Sequence, residues 1–412
     1  MRRRGLILLA GTLAGILPCG AATSQTAPSS VLNNQIQLGD VFSGSTLNVE
    51  TVTDQTVGES HATGNTYQAT TDGQDIDVRS NQTANGGVTD DTRLNVANNS
   101  GAATQITTTA AGNAGEAGVT GGVITGVLSQ TTGPAVISAL SHIEAPSGQA
   151  GDVDSLTQAQ GNSHVLTVSG GTAGVRFNQS NDAQVTTNGG GVYGYVSGSA
   201  QYQAQTMAND VTYSGDTGSG ARIAVTQQNN AGLTQAAQFT AFGQVQEGTT
   251  IASAAGNNLD AVNEGFLLDA TVNQRNEAYV RAQAETSAAS FGAVTASANG
   301  VGNAAVIGDI GGEIVLDNTQ LNEGGGIDVL ASTTGGDGYD AYANATAAGN
   351  SVTGYACAEC NGRMTIGNTQ TNSADIAATT TTTINGTARS ATGISNAVGN
   401  TATFYVSRPS GQ

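Results

Sequence analysis

Four groups of residues have types and spacings that could do chemistry. Asp75 with Asp77, and Asp152 with Asp154, each put two carboxylates on one face of an extended strand. A glycoside hydrolase built on a β-helix would use such a pair as acid and base, whereas a solvated or calcium-bridging face is the commoner outcome. Gly335-Gly336-Asp337-Gly338-Tyr339-Asp340 fits the calcium repeat G-G-x-G-x-D once. That motif works in tandem nonapeptide copies, so a plain turn is expected, with weak calcium binding as the alternative and no other cofactor. Gly189, Gly191 and Gly194 spell G-x-G-x-x-G, but no strand-turn-helix pattern surrounds them, so a dinucleotide site is not expected. Cys357 and Cys360 are the cysteines left once a leader containing Cys19 is removed. One pair cannot complete a four-ligand zinc site, and a redox role lacks a βαβ context, so a local disulfide closing a turn is expected in an exported chain. His61, His142 and His164 have no nucleophile at a recognisable spacing. No catalytic residue, cofactor site or metal ligand is assigned, and the chain is not expected to be an enzyme.

The elements that would position these residues come from an internal repeat. One Gln recurs at Gln35, Gln82, Gln130, Gln179, Gln228, Gln274, Gln320 and Gln370, with gaps of 46 to 50 residues. One Asn recurs in step at Asn65, Asn113, Asn162, Asn209, Asn257, Asn303, Asn350 and Asn400. Gly precedes that Asn in every copy but one, where Ala208 stands, and Ala62, Ala110, Ala159, Ala254, Ala347 and Ala397 sit three residues before it. A fixed period of this length marks a solenoid, propeller or array, in which each unit buries its apolar face only against its neighbours. With Gln228 and Gln274 as equivalent positions, removing residues 225–270 is expected to shorten the array by one unit.

Within the units the apolar pattern alternates with period two, the mark of strands. Ala200, Tyr202, Ala204, Thr206 and Ala208 alternate with Gln201, Gln203, Gln205, Met207 and Asn209, and Tyr339, Ala341, Ala343, Ala345 and Ala347 share one face. Gly scattered through every unit costs about 1 kcal/mol each in a helix, and the Thr379 to Thr383 run is β-branched, so helices are disfavoured. The expected fold is therefore all-β: an elongated β-solenoid of eight degenerate repeats of about 48 residues, right-handed by default, with Asn and Gln stacking between coils. Strands are expected to end at Gly-Asn, Gly-Gly or Ser-Gly turns. Two coils of about 24 residues per repeat would give a rod of roughly 75 Å, with three shorter strand-turn units per repeat as the other division.

Composition agrees with a thin, small-residue interior. The 412 residues include 58 Gly, 5 Pro and no Trp. Every one of the 12 basic residues is Arg, which excludes phosphate-loop and Schiff-base lysine chemistry. Arg2-Arg3-Arg4, the apolar run Leu6 to Leu17 and Gly20-Ala21-Ala22 read as a signal peptide at 1–22. Ile16-Leu17-Pro18-Cys19 makes lipidation of Cys19 an alternative that Pro18 disfavours. A flexible lead-in at 23–30, the repeat array at 31–404 and a tail at 405–412 complete the expected organisation. Without the leader, nine Arg face 31 acids, net −22. Such a surface repels nucleic acid and anionic lipid and attracts cationic partners, including partly deacetylated amino-sugar polymers.

The leader followed by Gly-, Ala-, Thr- and Asn-rich β repeats with Asn-Gln-x-x-Asn and Ala-x-Gly-Asn motifs resembles the holdfast attachment protein D family of stalked alphaproteobacteria, over the full chain. The resemblance implies an exported protein of the outer membrane and cell surface that anchors the holdfast polysaccharide to the cell. It also implies work beside a curli-like subunit and a curli-secretion-like lipoprotein. Apart from the resemblance, self-association is a further expected partner mode. No site residue carries over from it. A general repeat adhesin or amyloid-like matrix protein is the alternative, and a polysaccharide-cleaving β-helix enzyme, which would gather its acids at one break of the repeat, is a third.

Overall fold

A computed structural model describes residues 29–357 and 362–407. The expected leader at 1–22, lead-in residues 23–28, tail residues 408–412 and Cys360, with it the Cys357–Cys360 pair, lie outside the described residues.

The described chain is built from strands. The first circuit holds β1 (Ser29–Gln37), β2 (Val41–Thr51) and β3 (Gln55–Asp72). The second holds β4 (Ile76–Ala84), β5 (Val88–Asn99) and β6 (Ala103–Thr120), and the third β7 (Val123–Thr132), β8 (Val136–Ala150) and β9 (Asp152–Ser169). In the next four circuits the second and third segments fuse into one long bent strand: β10 (Thr172–Asn181) with β11 (Gln184–Gly215), β12 (Gly220–Asn229) with β13 (Leu233–Asn263), β14 (Leu267–Asn276) with β15 (Tyr279–Asp309), and β16 (Glu313–Asn322) with β17 (Ile327–Cys357). The last returns to three, β18 (Met364–Asn372), β19 (Ile376–Ile384) and β20 (Ser390–Ser407).

Every pairing is parallel and joins residues 46 to 50 apart, as in Ile36 with Thr83, Phe239 with Glu285 and Gln320 with Gln370. Each repeat is thus one full circuit, or rung, of three straight segments, which corrects the two-coil division. Two coils per repeat would pair residues about 24 apart, and the sheets order as β1-β4-β7-β10-β12-β14-β16-β18 and as β19-β17-β15-β13-β11-β8-β5-β2 instead. At ~4.8 Å per rung the stack rises roughly 35–40 Å, half the expected length, and the long dimension is that of the 18-residue third segment, about 60 Å.

Inside a rung, the first and second segments lie end to end over the longer third. Val78, Phe177 and Ile223 of the first segments pack with Leu166, Leu259 and Ile307 of the third. Val280 and Val329 of the second pack with Ala252 and Ala345 near the start of the third. Small Ala columns let the two layers approach closely, which explains an interior without Trp.

The Gly-Asn pairs are not turns. They lie in mid-strand, and the register passes from Ala111 with Gln160 to Asn113 with Asn162, leaving the glycine between unpaired. This one-residue irregularity reverses the alternation. Thr104, Ile106, Thr108 and Ala110 face inward before it, and Asn113, Ala117 and Val119 face inward after it. Asn209 is accordingly buried, although strict alternation put it opposite Ala208. A Cβ on Gly112 would lie 2.6 Å from the carbonyl oxygen of Gly161 in the next rung, so the position takes a residue that lets the rungs close. Left-handed turns occur where the third segment ends, at Gly73, Gly121 and Gly170, with φ of 64°, 65° and 59°.

Three further expectations shift. Tyr339 does not share the buried face of Ala341 to Ala347; it is 63% exposed at the bend, with the Arg389 guanidinium 5.6 Å from its ring centroid. Ser29 and Ser30 already pair with Ile76 and Asp77, so the array takes in the end of the expected lead-in. Tyr405 and Val406 pair with Tyr355 and Ala356, so it also takes in the start of the expected tail.

Candidate functional site

The recurring amides lie at the centre of each rung, where the first segment hands over to the second above the middle of the third. Nε2 of each Gln donates to Oε1 of the Gln one rung earlier at 2.7–2.9 Å, from Gln82 onto Gln35 up to Gln370 onto Gln320. The second Nε2 hydrogen goes to a carbonyl of the third segment at 2.8–3.1 Å, such as Asp210 O for Gln179 and Ala304 O for Gln274. In the fifth rung the ladder residue is Gln227, not Gln228. Gln179 pairs with Gln227 in the sheet, and Gln228 turns outward while its carbonyl accepts from Asn209.

The Asn column runs the opposite way. Nδ2 donates to Oδ1 of the following rung at 2.7–2.9 Å, from Asn65 onto Asn113 up to Asn350 onto Asn400. Its second hydrogen reaches a first-segment carbonyl, Thr83 O for Asn65 and Leu321 O for Asn303. Two stacked amide columns with opposed directions largely cancel each other's dipoles, and their cross-bonds staple the layers together. Each buried bond contributes ~0.5–1.5 kcal/mol, and an orphaned partner costs ~1–3.

A third column escaped the sequence reading. Asn181, Asn229, Asn276, Asn322 and Asn372 bond in series at 2.6–2.9 Å. The signal was there, because Gln-x-Asn recurs at Gln179, Gln227, Gln274, Gln320 and Gln370. That spacing also selects Gln227 over Gln228.

Few titratable groups lie inside. His164 is buried; its Nε2 meets the Tyr67 hydroxyl two rungs away, its ring stands edge-on to Phe177 at 5.1 Å, and burial drives its pKa down to about 3. Asp210 accepts from Asn258 at 2.8 Å, yet burial pushes its carboxyl up to about 6. Neither shares a cleft with a reactive partner.

The chemistry-bearing residues are dispersed. Asp75 accepts from the Val123 amide at 2.9 Å, Asp77 from Thr125 at 3.1 Å, and Asp152 from the Ser199 amide at 2.8 Å. Asp337 accepts from the Thr387 amide at 2.8 Å, and Asp340 binds Arg389 and Ser390. These carboxylates are spent joining neighbouring rungs. Among the described residues no three His, Cys, Asp or Glu are grouped to hold a metal. Gly189 and Gly191 face inward, where a Cβ would crowd the Gln238 amide and the Tyr202 ring, and a Cβ on Gly194 would lie 2.8 Å from Pro146 O at the bend. That motif makes room for side chains.

Gly190, between them, faces outward and opens a groove. It stands in the column of Arg93, His142 and Phe239, so the rung between His142 and Phe239 has no side chain there. The groove encloses about 470 Å³, with Leu140 and Val192 beside it. Phe239 is 36% exposed. The rim is polar: Arg93 pairs with Asp91 at 3.0 Å, and His142 Nε2 lies 2.8 Å from Glu144. An exposed ring over an apolar floor, beside fixed donors and acceptors, suits the apolar face and hydroxyl edge of a sugar ring.

A family model described as holdfast attachment protein D matches residues 50–326. No curated protein and no solved structure matches the chain.

Proposed function

Because this chain belongs to the holdfast attachment protein D family, we propose that it grips the holdfast polysaccharide on the outer face of its second segments, at the groove over Gly190. It is a structural, non-enzymatic protein of the outer membrane and cell surface that anchors the holdfast and associates with holdfast components. The observation that carries the finer reading is the combination of an exposed Phe239 ring and two fixed polar pairs around a gap in an otherwise continuous sheet face. The acidic surface adds a general attraction for amino-sugar polymers.

In this reading residues 1–22 direct export, residues 29–357 and 362–407 form eight coils of a right-handed solenoid, and a curli-like subunit and a curli-secretion-like lipoprotein supply the hold on the membrane. A right-handed crossover is the rule for parallel strands joined in this way. Gly190→Leu, which fills the groove, and Phe239→Ala, which removes the ring, test it. Both side chains point outward, so folding is expected to survive. Cells carrying either variant are expected to shed holdfast, and the purified variants to bind isolated holdfast material more weakly than the parent. Full retention by both folded variants would move the grip elsewhere on the surface.

A further inference from the structure

Both ends of the stack are open sheet edges among the described residues, with β1, β2 and β3 at one end and β18, β19 and β20 at the other. Native proteins guard such edges with charges, proline or a covering element. Here the edge strands of the last rung, MTIGNTQTN, IAATTTTTI and SATGISNAVGNTATFYVS, contain no charged residue and no proline. At the first-rung end β1, SSVLNNQIQ, contains none either, and the only acids in the strands there are Glu50 of β2 and Glu59 and Asp72 of β3. Large apolar side chains are bare at the first-rung end, among them Leu32 at 83% and Phe42 at 73% exposure.

The two ends also match. Their first segments are each 9 residues long and their third segments each 18. Following the register from rung to rung sets Gln370 beneath Gln35, Asn400 beneath Asn65 and Asn368 beneath Asn33. The donor directions agree. Gln35 Nε2 would give its free hydrogen to Gln370 Oε1 as each later Gln does to the one before it, and Asn400 Nδ2 would donate to Asn65 Oδ1. Sizes interlock as well: Phe404 would lie under Ala69, and Ala402 under Tyr67.

We propose that the last rung of one copy stacks beneath the first rung of a second copy, continuing the sheets and the amide columns across the joint. The two surfaces differ, so the contact is heterologous and does not close on itself; the product is an open filament that lengthens by roughly 38 Å per copy.

Thr380→Lys and Ser45→Asp, one at each end, test it. Each position faces inward at an open end, so in a single copy the charge can reach water past the edge, whereas a stacked copy would bury it. The chain from residue 23 onward is purified and followed by sedimentation and electron microscopy, with circular dichroism and a melting curve to establish that every variant folds. The parent is expected to form filaments. Each single variant is expected to stay at one copy, and an equimolar mixture of the two to recover assembly, because the ammonium introduced at one end then meets the carboxylate introduced at the other. A parent that remains a single copy at high concentration would overturn the proposal and leave the ends to a different protein. Single variants that assemble as the parent does would place self-contact on another face. Folded single variants that stay apart when mixed would overturn the stacking register.

Discussion

The Tyr67 hydroxyl reaches His164 Nε2 across a whole intervening rung, 97 residues along the chain, because the residue between them in the column is Gly115. A Cβ there would lie 2.5 Å from the Tyr67 ring and 2.9 Å from His164. Size thus alternates along the column, and a missing side chain in one rung is filled by large ones in its neighbours.

Gly115→Ala is expected to destabilise the protein by about 1–3 kcal/mol through overpacking, as both rings are held in a close-packed interior. Urea unfolding reads this directly. The change should lower the midpoint with little change in slope.

The buried His164 and Asp210 titrate with opposite effects. His164 has its pKa lowered to about 3, so protonation at low pH works against the fold, and its contribution falls as pH drops from about 6.5 towards 3. Asp210 has its pKa raised to about 6, so the fold favours the neutral acid, and its contribution falls as pH rises from about 4 through 6. Between about pH 4 and 6 the two slopes oppose each other. Relative to the parent, Asp210→Asn is expected to make stability rise more steeply with pH in this window, and His164→Phe to make it fall. Melting temperatures across the window check both signs.

Replacing Gln227 by Ala removes one link of the Gln column, orphaning Gln179 Oε1, a Gln274 Nε2 hydrogen and Asn258 O. A loss of at least about 3 kcal/mol is expected, since each of the three orphaned buried groups costs ~1–3. Gln228→Ala, on the outer face, should stay within about 0.5 kcal/mol of the parent. Equal effects in denaturant unfolding would contradict the register of the fifth rung.

Ala224 pairs with Thr271, so the deletion that keeps register spans residues 225–271 and joins Ala224 to Val272. The span 225–270, suggested by aligning Gln228 with Gln274, is one residue short. A one-residue slip turns every following side chain to the other face. Protease resistance is expected to survive the 47-residue deletion and to fall with the 46-residue one, while holdfast retention falls with both, because each removes Phe239 and the 47-residue one leaves Glu285 in its column.

Attraction between the acidic surface and amino-sugar polymers is screened by salt. Binding of the purified chain to a partly deacetylated polymer is therefore expected to weaken several-fold between low salt and 0.5 M, and a fully acetylated polymer to bind less at low salt. Solid-phase binding at the two salt levels measures both.

The period, the strands and the central amides could be read from the chain alone, because a stacked rung repeats its requirements at one interval: Gln35 to Gln370 and Asn65 to Asn400 must each meet a like residue one circuit away. What only the tertiary structure decided is how that interval divides. Alternation is a local property, and a single unpaired residue such as Gly112 reverses it without changing composition, so which face Asn113 takes depends on contact with Gly161 and Asn162 in the next rung. The choice between Gln227 and Gln228 rests on the Asn229 that must follow at the column of Asn181 and Asn276. The groove over Gly190 exists only because the fold sets a glycine between His142 and Phe239, residues 97 apart in the chain that share one column of the sheet.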